Sequence, residues 1–362
     1  MISAKKQAIK YSKNHLLAEL IEWEKKLIEK DNYQLVSADD IEQLSKQVQD
    51  ISNINNLNSQ LWELKAILFQ KLNKIGRART QEQVNELKLS VESKIKSINI
   101  PETEVELNYL FNHIEGAYYF GINDNENSLR SVLKTINLIE KNPNQFSDEP
   151  NILTSELTNG VYLAVKNQDT KQAQLLFTKL KELYQENTDN RSKDLSIKIK
   201  SSLWSLELLL VKLTCDFKQF DILFKNLETF LENNTKKINS SRLAFLYYNI
   251  AHVLFIKDEF SESLKWTNKL LNNININQSQ EIYSFAEILN LFVHLELGNT
   301  ELVNYSLKST KRFLKTRNKL FDYEYIILKF VQKITSHNFD KYEKDDELEK
   351  LINSLNEISQ NP

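Results

Sequence analysis

Residues 113–143, HIEGAYYFGINDNENSLRSVLKTINLIEKNP, place two glycines and three aromatics on one apolar run, then a polar break at NDNE, then a second apolar run. Apolar residues return every three to four positions on both sides of the break, which is the period of a helix with one buried face. The stretch therefore reads as two helices joined by a short turn. The same layout returns four times downstream. ELTNGVYLAVKNQDTKQAQLLF breaks before Ala173, LELLLVKLTCDFKQFDILFKNL before Leu223, LYYNIAHVLFIKDEFSESLKWTNKLL before Ser263, and EILNLFVHLELGNTELVNYSLKSTKRFL before Val303. With Ser128 in the first unit, these second-helix landmarks stand 40 to 50 residues apart. A helix pair recurring at such a period is the pattern of an α-solenoid.

Composition agrees with an all-α chain. Only 5 Gly and 4 Pro occur in 362 residues, too few for a fold that needs many tight turns. No run of alternating β-branched residues bounded by turn signals is present. Helix starts are marked at Ser37 with Asp40 and at Thr80 with Gln83, both capping-box spacings. Helices are expected over 4–13, 15–31, 38–52, 57–75 and 80–98, with the asparagine-rich NINNLNSQ as a loop. Pro101, Pro143 and Pro150 punctuate the next stretch, with NPNQFSDEP as a linker.

The unit at 240–272 resembles the tetratricopeptide repeats. Tyr247, Ile250, Ala251 and Leu254 stand on a first helix, KDEF forms the turn, and Ser263 and Leu264 begin the second. The resemblance implies that Ala251 and Ser263 are small residues letting two backbones approach, and that Phe260 plugs the end of the pair. Gly116 with Ser128 repeats this arrangement, while Gly121 is expected only to end a helix. The likeness spans about 105 to 320. It departs from the family at Val161, Val211 and Leu291 on first helices and at Leu223 and Val303 on second ones, and its units exceed the roughly 34 residues of that repeat. It implies a right-handed α-α superhelix of antiparallel pairs over 101–362. Residues 1–100 are expected to hold degenerate pairs of the same array.

Chemistry is thinly marked. The 47 basic and 49 acidic residues nearly cancel, so no global field draws in nucleic acid. The five glycines never cluster into a phosphate loop. The histidines, His15, His113, His252, His294 and His337, never pair on one helical turn with a carboxylate, so no metal or other cofactor is expected. Cys215 beside Asp216 reads as a small buried filler, because an adjacent acid disfavours the thiolate. Lys74, Arg77 and Arg79 surround Gly76 after a long helix, a pattern that suits a C-terminal cap and its dipole. The start, MISAKKQAIKYSKN, lacks the apolar segment of a secretory signal, and no apolar run is long enough for a membrane span, so a cytoplasmic protein is expected.

In the family it resembles, first helices line a groove that holds a peptide or a partner helix. Carried over, that face comprises His113, Phe120, Asn159, Tyr162, Lys166, Lys212, Tyr248, His252 and Phe255. Aromatic rings supply contact area with few rotors to freeze, and Asn or Lys orient a backbone or carboxylate. The expectation is a non-catalytic scaffold or adaptor that binds protein or peptide. A peptide-responsive regulatory sensor is the alternative; an enzyme lacks any catalytic constellation.

Overall fold

The computed structural model describes residues 2–11, 13–147, 149, 151–186, 193–273, 280–336 and 341–360. His337 and Pro150 lie outside the described residues. Among the described residues every regular element is helical and no strand occurs. The chain divides into two compact units, Met1–Leu163 and Ala164–Pro362.

The first unit holds α1 (Ile2–Lys10), α2 (Asn14–Lys30), α3 (Ala38–Ile75), α4 (Gln81–Ser97), α5 (Val105–Gly121), α6 (Asn125–Lys141) and most of α7 (Asn151–Lys166). Neighbours pack in pairs, and α3 also packs on α5. The core joins Leu61, Leu64 and Leu68 of α3 to Val84, Leu87 and Val91 of α4 and to Leu107, Ile114 and Tyr118 of α5. The second unit holds α8 (Thr170–Glu186), α9 (Lys193–Thr214), α10 (Phe217–Asn234), α11 (Ser240–Ile256), α12 (Phe260–Asn273), α13 (Gln280–Glu296), α14 (Thr300–Thr316), α15 (Asp322–Ser336) and α16 (Lys341–Gln360). Its main core centres on α11, where Leu246, Ile250, Val253 and Leu254 are fully enclosed.

The loop expected at NINNLNSQ is absent: α3 runs unbroken through it. Asparagine costs a helix only about half a kilocalorie per residue. Against that, Ile51, Ile54, Leu57, Leu61, Leu64 and Leu68 form a stripe at three- and four-residue spacing, and from Ile54 onward it packs on the α4–α5 core. Before Ile51 no residue of α3 is buried. Ser37 and Asp40 do form the reciprocal capping box. At Thr80 the box is incomplete. Its hydroxyl accepts from the Gln83 amide, but the Gln83 side chain accepts from the Arg79 amide, one residue too early.

The five expected turns occur, and they share one geometry. Asn123, Gln168, Cys215, Asp258 and Gly298 have φ of 66°, 58°, 53°, 62° and 74°, each two residues before α6, α8, α10, α12 or α14 begins. Such a left-handed residue closes a helix by letting the next amides reach back to free carbonyls. Asp124, Asp169, Glu259 and Asn299 donate to Tyr119, Ala164, Leu254 and His294, five residues upstream. The residue after the left-handed one also starts the next helix in three turns: Asp124, Asp169 and Asp216 each accept from the amide three residues on. One dipeptide thus ends one helix and begins another.

Twelve residues separate equivalent buried positions along the chain. Gly116 and Ser128, Val161 and Ala173, Val211 and Leu223, Ala251 and Ser263, and Leu291 and Val303 are all buried. In two of them the serine hydroxyl donates across the pair: Ser128 to the Gly116 carbonyl at 2.9 Å, and Ser263 to the Ala251 carbonyl at 2.7 Å. Where the positions carry Val and Leu instead, this bond has no donor and the contact is apolar.

Two sequence expectations are corrected here. Cys215 is exposed, not a buried filler, because it occupies the left-handed position of the α9–α10 turn. Gly121 does more than end a helix. A Cβ there would lie 2.7 Å from Leu72 Cδ2 and 3.4 Å from Leu87 Cδ1, whereas one on Gly116 would meet nothing nearer than Ser131 Cβ at 3.5 Å. The tighter site of the two is therefore Gly121, where side chains of α3 and α4 close over α5.

Gly76 caps α3 with φ of 71°, as its position suggested. Arg77 serves a different helix. Its Nε donates to the Phe120 carbonyl at the end of α5 and its Nη2 to Asn125 Oδ1 at 2.6 Å, with the guanidinium 4.6 Å from the Phe120 ring centre. The Ala78 amide donates to the Gly121 carbonyl at 2.8 Å, and the Asn123 side chain returns a bond to the Ala78 carbonyl.

Candidate functional site

Seven of the nine residues singled out from sequence fall into two groups, one in each unit. In the first unit, His113, Phe120, Asn159 and Tyr162 all line one cavity of about 330 Å³. Phe69 of α3 closes one side of it, and Gly116 and Ala117 of α5 leave room at its floor. Four helices, α3, α5, α6 and α7, thus converge on the cavity, and the missing side chain of Gly116 helps to create it.

His113 is clamped. It stacks between Phe69, with ring centres 5.7 Å apart, and Tyr109, at 6.0 Å. Its Nδ1 stands 3.0 Å from Glu156 Oε1, and Glu156 is 2% exposed. Sequence reasoning missed Glu156. Glu115, two residues from His113 on the same helix, faces elsewhere and accepts from Ser131 at 2.8 Å. The available signal was that Glu156 lies three residues before Asn159, on the same face of its helix. Burial beside Glu156 and Glu149 pushes the Tyr109 phenol up to about 12, since an ionised ring would meet both low polarity and like charge.

In the second unit, Lys212 donates to Asn249 Oδ1 at 3.0 Å and its Nζ lies 5.9 Å from the centre of the Tyr248 ring. Tyr248 and His252, one turn apart on α11, stack at 5.7 Å. Desolvation pulls Lys212 down to about 8, helped by the charge of Lys166. Desolvation also pulls His252 down to about 3, with the Lys212 charge adding to it, and raises Tyr248 to about 12. All three are held toward their neutral forms, although none is fully enclosed. His252 Nδ1 is buried without a hydrogen-bond partner. Phe255 does not join this group and packs edge-on against Phe260 at 5.4 Å. Lys166 is exposed.

Each unit therefore carries its own half-buried aromatic and polar group on a first helix. Comparison with known proteins returns no match: no family model, no curated protein and no solved structure is similar to this chain. No helix among the described residues is long and apolar enough to cross a membrane.

Proposed function

We propose that this chain is a non-catalytic interaction scaffold, built of helix pairs like those of tetratricopeptide repeats, that binds a protein partner through the faces of its first helices. The reading extends to a right-handed superhelix and a cytoplasmic location. The observation that carries it is the repeated turn: a left-handed residue and a fixed twelve-residue step between buried positions recur in five successive segments, three of them with an aspartate cap. A repeated backbone device presents first helices in series, and first helices hold His113, Phe120, Tyr162, Tyr248 and His252 half-buried, part of each side chain remaining at the surface. A second reading, a sensor that responds to a small ligand, is favoured by the cavity in the first unit, which is of ligand size.

Affinity capture from the native cell with the intact chain, followed by reconstitution with the purified partner, tests the scaffold. The expected result is a binary complex of micromolar or tighter affinity that weakens at least tenfold in Tyr248→Ala or Tyr162→Ala while helicity is retained. Capture that is indifferent to both substitutions would overturn the assignment of these faces.

A further inference from the structure

The cavity of the first unit has a lopsided polarity. Its walls are mainly rings and aliphatic carbons, with Phe69, His113, Phe120 and Tyr162 around the space. Among its lining residues Glu156 is the only carboxylate, and no lysine or arginine lines it. Glu156 is deeply buried, and the only hydrogen bond that reaches it among the described residues is the one between its Oε1 and His113. An ionised carboxylate offers about four acceptor positions, and burying it with most of them empty is costly. Among the described residues no side chain or backbone group donates to Oε2, and Glu156 lines an aromatic space. Arg77 does not meet this need, since it is tied to Phe120 and Asn125 and lies outside the lining.

We infer that this cavity is a binding site for an organic cation: an ammonium or guanidinium group on an apolar stem. The cation donates to Glu156 Oε2, where a charge-assisted bond in a partly desolvated space is strong. Phe120 and Tyr162 attract the positive end through their ring quadrupoles, and Phe69, stacked on His113, adds apolar wall beside the stem. Asn159 at the rim supplies a carbonyl oxygen to a second N–H. The same chemistry is offered by a lysine or arginine side chain of a peptide and by a free amine. The inference does not depend on the scaffold reading, because an amine can bind where protein capture fails, and the reverse.

Calorimetric titration of the full chain with phenethylammonium and with its neutral near-isostere 2-phenylethanol tests the site. The cation is expected to bind at least about tenfold more tightly than the alcohol, and Glu156→Gln to abolish that preference. Capped Gly-Lys-Gly and Gly-Arg-Gly, each compared with the norleucine peptide, distinguish the sources. Tighter binding of the basic peptides assigns the site to a partner's side chain, and tighter binding of phenethylammonium assigns it to a free amine. If Glu156→Gln fails to fold, the comparison of amine with alcohol on the unaltered chain decides alone, with Phe120→Leu expected to weaken the amine more than the alcohol. Equal affinity for amine and alcohol, an amine preference that survives in folded Glu156→Gln, or no binding at millimolar concentration would overturn the inference.

Discussion

Ser263 donates its hydroxyl to the carbonyl of Ala251, twelve residues back, at 2.7 Å and with neither residue accessible to water. The Ala251 carbonyl sits within a helix, so the serine adds a bond from outside to an oxygen with a spare lone pair. Ser263→Ala is expected to cost about 1 kcal/mol, the net worth of such a bond. Ser263→Leu is expected to cost about 1–3 kcal/mol or more by forcing α11 and α12 apart. Urea denaturation midpoints measure both, and equal small losses would show that the approach of these helices is not tight.

The two glycines of α5 should separate in the opposite sense to the one their sequence positions suggest. Gly116→Ala places its methyl in ordinary contact distance and gains helix propensity, so it is expected to be neutral or stabilising by up to about 1 kcal/mol. Gly121→Ala forces the Leu72 side chain to move and is expected to lose about 1 kcal/mol. In a Leu72→Ala background the Gly121→Ala loss should vanish. Gly116→Leu remains damaging, at about 1–3 kcal/mol, because Ser131 and Val132 leave no room for four carbons.

His252 supplies a pH dependence with a definite sign. Its folded value, about 3, lies below the roughly 6.5 of an unfolded histidine, so the unfolded chain binds the proton first as pH falls. Stability is lost between about pH 6.5 and pH 3, with a slope approaching about 1.4 kcal/mol per pH unit. His252→Phe keeps a ring against Tyr248 and removes the titration. The measurement is the difference in unfolding free energy between pH 7 and pH 5. It should shrink in the variant, and an unchanged difference would show that His252 is readily protonated in the folded chain.

Cys215 holds a left-handed backbone that a side chain other than Gly, Asn or Asp enters at a cost. Cys215→Asn is expected to stabilise by about 0.5–1 kcal/mol, read from the thermal midpoint. Because the thiol is exposed, one maleimide should label the native chain fully without denaturant. Labelling only after unfolding would place the side chain inside.

Much of the architecture is written in local pattern. Break and restart around NDNE, NQD, TCD, KDE and GNT are legible because each turn is closed by its own few residues around a left-handed position. The α3 helix was misread because asparagine weighs lightly against a stripe whose partners, Val84 and Leu107, lie far along the chain. Gly121 was misread for the same reason: the group that crowds it, Leu72, is 49 residues away. In the cavity, His113, Phe120, Asn159 and Tyr162 were legible as one face, because helical period fixes which side a residue occupies. Glu156 was not, since nothing local says which of the 49 acidic residues will be drawn in against a histidine on another helix.

Helix α3 carries one further consequence. At 38 residues it is about 57 Å long at 1.5 Å per residue, yet its burial begins only at Ile51. The leading turns rest on the Ser37 box and on neighbouring α2, while the trailing turns are locked beneath α4 and α5. Amide deuteration along this rod should therefore follow a gradient, fast near Asp40 and slowest around Leu64 and Leu68. A protease meeting the folded chain would nibble from the leading end and stall near Ile51. One continuous helix thus spans two regimes of opening, the first half a latch and the second half a keel.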